Sequence, residues 1–409
     1  MRPARPLCFR LLCATLLVAS LALAAAPPKQ HAAFDSGDRA LDIPILVEDN
    51  GHVVAQFKVN GVGPVWLTLD TGASHAGINS DFATQLKIEL TGKKGVARGA
   101  GGSQASENGE HIEFALPGVT MRDQTAAIYS MEFMSRRAGR PVAGIIGREF
   151  FEAFVVEIDF ANQRMHLYDP KTWSYNGKGS VVPLTFNNAG HPYVEATAVM
   201  PNNERVQGRF VLDLGSAFPL MVAEKYTAEH NLLKTLPASL SIQARGVGGP
   251  VETRVGRVAS IQLGDFTLKA PFAAFPQGGG YITDANSPGN IGAPVLSRFR
   301  VIFDYTRKRM ILEPGERFAE PFEFDMSGLS VQAEGDAFDQ LSVLRITPGS
   351  PAEAAGFAVG DKLVSVNGEP ATSVAALRRL WKQPDRQFDV VIRRGETTQT
   401  VKFTTRRMI

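Results

Sequence analysis

Residues 67–79 read LTLDTGASHAGIN, an apolar strand that runs into Asp70 and then turns at Gly72. A carboxylate at the end of a buried apolar run is costly to keep charged unless another group answers it. The answer is elsewhere in the same chain. Residues 210–222, FVLDLGSAFPLMV, are again an apolar strand ending in Asp-X-Gly, with Asp213 lying 143 residues after Asp70.

Three more pairs of segments match in the same order. GHVVAQFKVNG from Gly51 echoes GHPYVEATAVM from Gly190, and RGAGG from Arg98 echoes RGVGG from Arg245. GIIGREFFEAFVVEIDFANQRMHLYDP from Gly144 echoes GNIGAPVLSRFRVIFDYTRKRMILEP from Gly289. The offsets of 139, 143, 147 and 145 drift by only a few residues. Residues 41–171 and 181–314 are therefore two copies of one unit, joined by DPKTWSYNGKGS. Both copies are rich in short alternating or apolar runs bounded by Gly, Pro and Asn, the pattern of strands and hairpins. Short helices are expected at 80–86, at 223–230 and from Arg148. The predicted fold is mainly β, a bilobal pair related by a pseudo-twofold axis.

Such an axis brings equivalent points together when they lie near it. Two carboxyl groups within about 3 Å cannot both ionise; they share a proton and their titrations split. The neutral partner can then protonate a carbonyl oxygen while the charged one takes a proton from water, which hydrolyses an amide without a metal or cofactor. Gly72 and Gly215 let the chain turn sharply after each aspartate. Ile-Ile-Gly at Gly147 and Asn-Ile-Gly at Gly292 are expected to form an apolar layer beneath. The two glycine-rich segments read as mobile hairpin tips that exclude water.

Asp-Thr-Gly-Ala, a glycine-rich tip and Ile-Ile-Gly, taken together and duplicated in one chain, resemble the retropepsin-like aspartic proteases arranged as a pepsin-like bilobal enzyme. The resemblance covers most of residues 41–314. It implies an endopeptidase cleft holding an extended polypeptide, with Asp70 and Asp213 as the catalytic dyad. It also implies two flaps, Gly99, Ala100 and Gly101 in one copy and Gly246, Val247 and Gly248 in the other.

The two catalytic loops differ: Thr71, Gly72 and Ala73 support Asp70, whereas Leu214, Gly215 and Ser216 support Asp213. In the family, paired threonine hydroxyls grip across the lobes. Leu214 has no hydroxyl, so Thr71 needs another partner or makes half a grip. Ser216 is expected to hydrogen-bond Asp213, favouring its charged form and leaving the proton on Asp70. His75 reads as a surface or partly buried polar residue.

After Pro321 the pattern changes. SPAEAAG reads as a short helix, and GDKLVSVNGEP as a strand closed by the hairpin signal Asn367-Gly368. An amphipathic helix is expected at 373–382, with Val374, Leu377 and Leu380 on one face and Pro384 ending it, followed by a final hairpin. This order resembles a PDZ domain over 322–409. The resemblance implies a peptide-binding loop, Gly328, Leu329, Ser330 and Val331, whose backbone N–H groups cap a protein C-terminus.

Residues 1–26 carry Arg2, Arg5 and Arg10 ahead of an apolar run ending in small residues, the pattern of a cleaved secretory signal peptide. Without it the chain has 40 basic and 41 acidic residues, a net charge of −1, and lacks both cysteines, Cys8 and Cys13. No nucleic-acid partner and no stable membrane span after cleavage are expected, and a bacterial periplasm or extracellular location is. His-ligand spacings, a G-x-S-x-G elbow and nucleotide-binding loops do not occur, which argues against zinc, serine-hydrolase and nucleotide chemistry. The expected function is an exported aspartic endopeptidase acting on polypeptides. The rival is a peptide-binding or scaffold protein on the same fold that has lost activity, with Leu214 as its best support.

Overall fold

The computed structural model describes residues 31–278 and 286–409. The expected signal peptide and its two cysteines lie outside the described residues.

Each copy delivers its aspartate in the same way. The strand Val62–Leu69 leads to Asp70, with Gly144–Ile146 beside it in parallel, Leu67 opposite Gly144 and Leu69 opposite Ile146. Ala76–Asn79 closes the other side of that short strand in antiparallel pairing. In the second copy Arg205–Asp213 ends at Asp213, Gly289–Gly292 lies parallel to it, and Leu220–Val222 runs antiparallel. Strands covered on both faces are apolar almost throughout. Leu67, Leu69, Ile78, Ile146, Phe210, Leu212, Leu220 and Ile291 are accordingly buried.

The copies meet strand to strand. Val155–Asp159 pairs antiparallel with its counterpart Phe299–Asp304, setting Val156 opposite Phe303 and Ile158 opposite Val301. Antiparallel pairing of equivalent strands is what an approximate twofold axis requires. One apolar core then runs through both lobes, with Phe151 edge-on to Phe303 at 5.3 Å. Helices occur at Ser80–Ala83, Arg148–Ala153 and Glu224–Glu229, at or just inside the expected positions. The first lobe extends further toward the N-terminus than residue 41: His31–Phe34 pairs with Val119–Tyr129, and Arg39–Val47 is already a strand. The linker is tied down by Trp173, which packs between Tyr168 and Tyr175, and by the Tyr175 hydroxyl donating to Glu313 at 2.5 Å.

The C-terminal domain has its own core around the fully buried Trp381. Its strands begin with Leu329–Glu334 at the sheet edge, and its main helix is Val374–Leu380. Ser373 caps that helix by accepting the Ala376 N–H at 3.2 Å, and Val374 and Leu377 face inward. Asn367 and Gly368 both adopt positive φ, 51° and 86°, in the tight turn read from sequence.

A helix with no forecast in the sequence, Glu132–Ala138 of the first lobe, packs against both the edge strand Leu329–Glu334 and the helix Val374–Leu380. Arg136 donates to the Ala333 carbonyl at 3.4 Å. Lys382 donates to the Asp49 backbone carbonyl at 2.9 Å and pairs with its carboxylate at 3.3 Å. The C-terminal domain is thus docked on the first lobe rather than held by a linker alone.

Candidate active site

The aspartates face one another across the axis. Gly72 N–H donates to Asp70 Oδ1 at 2.8 Å, and Gly215 N–H donates to Asp213 Oδ1 at 2.9 Å. Each glycine also makes room for the opposite carboxylate. A Cβ on Gly72 would lie 2.6 Å from Asp213 Oδ1, and one on Gly215 would lie 2.5 Å from Asp70 Oδ2. Any other residue at either position would push the pair apart. The two carboxyl groups lie close enough to couple, and acids this close share a proton rather than both ionising. Burial raises both carboxyls, and like charge pushes the second ionisation of the pair further, up to about 8.

The grip beneath the pair is one-sided. Thr71 Oγ1 donates to the Leu212 carbonyl at 2.8 Å and accepts from the Leu214 N–H at 2.9 Å, so the missing hydroxyl partner is replaced by backbone of the second lobe. The Leu214 side chain is buried in the core and returns nothing of this kind.

Two expectations need correction. Ser216 does not hydrogen-bond Asp213: its buried Oγ has no partner among the described residues. Asn290 takes that place, donating from Nδ2 to Asp213 Oδ2 at 2.7 Å. It does so because Gly289–Gly292 runs parallel to the aspartate strand, close enough for an amide to reach the carboxylate. For the same reason the layer beneath the site is not wholly apolar; its counterpart position in the first lobe is Ile145. Asp213 therefore accepts a bond at each oxygen, whereas Asp70 accepts one at Oδ1 apart from its contact with Asp213. The second donor favours charge on Asp213, whereas the contact between the two carboxyls raises Asp213 and lowers Asp70, so the pair titrates as a unit.

The hairpin tips roof the site. Gly101 N–H donates to the Val247 carbonyl at 2.9 Å, and the Gly99 and Gly246 positions face Val247 and Ala100. A Cβ at Gly101 would collide with Gly249 backbone, and one at Gly248, where φ is +92°, with Gly102 and Ser103. Only glycine lets the tips touch. Beneath them is a cleft of about 490 Å³ lined by both aspartates. His75 lines its rim, 65% exposed, and its Nδ1 bonds Glu149 at 2.8 Å, which raises its pKa. Sequence reasoning missed His191, which is buried in the cleft wall beside Gly72, where desolvation lowers its pKa. Its one sequence signal is the Gly-His pair shared by Gly190 and Gly51, where the first copy carries His52.

The expected peptide-capping loop of the C-terminal domain is partly spent. Gly328 N–H donates to Asp325 Oδ2 at 2.6 Å and Leu329 N–H to Ser327 Oγ at 2.9 Å. Leu329 and Val331 are buried and Ser330 is exposed. Asp325 thus lies beneath the loop and the lobe-one helix packs against its strand, so two of the four expected donors are committed within the loop.

Two family models agree with this arrangement. The family model for aspartyl protease matches twice, over residues 55–150 and 196–295, and that for the PDZ domain matches residues 342–394. No curated protein sequence matches. Among solved structures, basic 7S globulin from soybean is similar with a TM-score of 0.41 and 12% identity, covering 70% of this chain and 97% of that one. The duplicated halves, the paired Asp-X-Gly loops and the terminal sheet make the chain a two-lobed aspartyl-protease-fold protein with a C-terminal PDZ domain.

Proposed function

We propose that the protein is an exported aspartic endopeptidase. The observation that carries this reading is the facing Asp70–Asp213 pair, half-buried at the floor of a roofed cleft. A polypeptide enters when the glycine tips separate, and their closure over it excludes water from the reaction. Asp213, with both oxygens accepting, takes a proton from a water molecule as its oxygen attacks the scissile carbonyl carbon. Asp70 gives its proton to the carbonyl oxygen, forming a neutral gem-diol. Collapse of the diol returns a proton to Asp70 and passes the proton on Asp213 to the leaving nitrogen, restoring the starting state. No covalent enzyme intermediate forms. Export is supported by the residue pattern of positions 1–26.

The test is cleavage of an unfolded polypeptide by the mature chain, beside Asp70→Asn and Asp213→Asn. Pepstatin-sensitive cleavage that disappears in both variants supports the enzyme. Tight peptide binding without turnover at any pH supports the inactive rival, which the one-sided grip at Leu214 favours.

A further inference from the structure

The lobe-one helix Glu132–Ala138, the second flap hairpin and the PDZ domain enclose a second cavity of about 540 Å³. It is not separate from the catalytic cleft. Arg137, Ala217, Phe218, Ala244 and Arg245 line both. An extended chain lying over the aspartates can therefore continue past Phe218 into the space beside the PDZ domain.

The charges around this passage are unevenly satisfied. Arg136 pairs with Glu132 at 2.6 Å, Arg345 with Glu252 at 3.7 Å, and Arg378 and Lys382 with Asp49 at 3.9 and 3.3 Å. Glu323 is held by Arg407. Arg137 and Arg245, the two cations at the junction, have no carboxylate within 4.0 Å among the described residues. Glu48, the acid whose field Arg137 feels, is already bonded to Arg140 at 2.6 Å. The Arg245 guanidinium lies over the Phe133 ring, 5.5 Å from its centre, which steers the head group without neutralising it.

We propose that the second cavity is an extension of the substrate cleft, in which Arg137 and Arg245 together bind a carboxylate of the bound polypeptide. This rests on the reading of the cleft as a polypeptide site. The carboxylate is an Asp or Glu side chain, or the free C-terminus of the substrate. The PDZ domain contributes a wall to this cavity, through Leu329–Gln332, while two of its loop donors, the Gly328 and Leu329 N–H groups, are turned inward to Asp325 and Ser327. The charge for a carboxylate at this junction comes from the two arginines of the protease lobes. Guanidinium groups suit that task because each offers a planar fork of donors and is always charged.

The test is binding, measured by fluorescence anisotropy on the full mature chain carrying Asp213→Asn so that peptide is not consumed, with Asp70→Asn as a second background. The probes are extended labelled peptides in which one Glu is moved along the sequence against a Gln control, each with a free or amidated C-terminus. We expect one register in which the carboxylate improves affinity by about tenfold, a gain that shrinks at high salt. Loss of that gain on amidation identifies the C-terminus as its source; persistence identifies the side chain. The gain disappears in Arg137→Gln/Arg245→Gln and survives in Arg137→Lys/Arg245→Lys. Equal binding of Glu and Gln peptides at every register with no effect of amidation overturns the proposal, as does a preference that survives the double Gln substitution. Absence of turnover by the wild-type chain would sink the hydrolase reading and leave a carboxylate-selective cleft standing.

Discussion

The two lobes bring the same loop to the axis and support it differently. In the first, Thr71 reaches across and bonds two backbone groups of the second lobe, while no side chain among the described residues outside the pair donates to Asp70. In the second, Leu214 gives up the reciprocal reach, and Asn290 donates to the outer oxygen of Asp213. Duplication supplied two equal acids, and divergence has divided their labour. One lobe holds the halves together; the other gives its acid a second donor.

The largest effect that could break this comparison is removal of either acid. Asp70→Asn and Asp213→Asn are each expected to lower the rate of polypeptide cleavage by about 10²–10⁴-fold, the usual weight of a general acid or base. The same substitutions should stabilise the fold at high pH. A buried carboxyl whose pKa is raised on folding favours the native state while protonated. That contribution is complete below about pH 4 and is lost as pH rises through about 8. Either Asn variant, which leaves one acid to ionise without a like-charged neighbour, should therefore gain stability over the wild type at pH 8 and little at pH 4, read from urea unfolding midpoints.

Thr71→Val comes next. It strands the buried Leu212 carbonyl and Leu214 N–H together, at about 1–3 kcal/mol for each unsatisfied group. Urea denaturation should show that loss, and Leu214→Val, which removes no polar contact, should fall well short of it. Equal losses at the two positions would mean that the grip is not one-sided.

Asn290→Leu sharpens the assignment of charge. If the singly protonated pair keeps its charge on Asp213, loss of the donor raises the first ionisation by about 1–2 pH units, since a hydrogen bond to a charged group is worth about 1.5–3 kcal/mol. The acidic limb of the cleavage profile then moves upward and the basic limb near 8 stays in place. Movement of the basic limb alone would place that charge on Asp70. Ser216→Ala is the smallest change. Because Ser216 Oγ does not touch Asp213, both limbs should be unmoved.

Much of this was legible in the sequence because it depends on local pattern and repetition. Asp-X-Gly after an apolar run fixes a carboxylate on a turn, and four segments repeating in one order fix the lobes and the axis. The glycine tips were readable because close backbone approach admits no other residue at Gly101 or Gly248. Asn290 was hidden because the short strand around it aligns with Gly-Ile-Ile-Gly, where the same position is apolar. Its partner, 77 residues away, is set by the parallel pairing of the two strands. Ser216, adjacent to the loop, drew an expectation that geometry gave to Asn290. The docking of Glu132–Ala138 on the PDZ edge was equally invisible, since Arg136 and Ala333 are separated by 197 residues and no motif joins them.

The central claim is that Asp70 and Asp213 hold one proton between them. Carbon-13 NMR titration of the aspartate carboxyl groups in the mature protein tests it directly. The account predicts two linked steps from this pair, the last near pH 8, that collapse to a single step in either Asn variant. Two independent titrations in the ordinary aspartate range, each unaffected by substitution of the other residue, would contradict it.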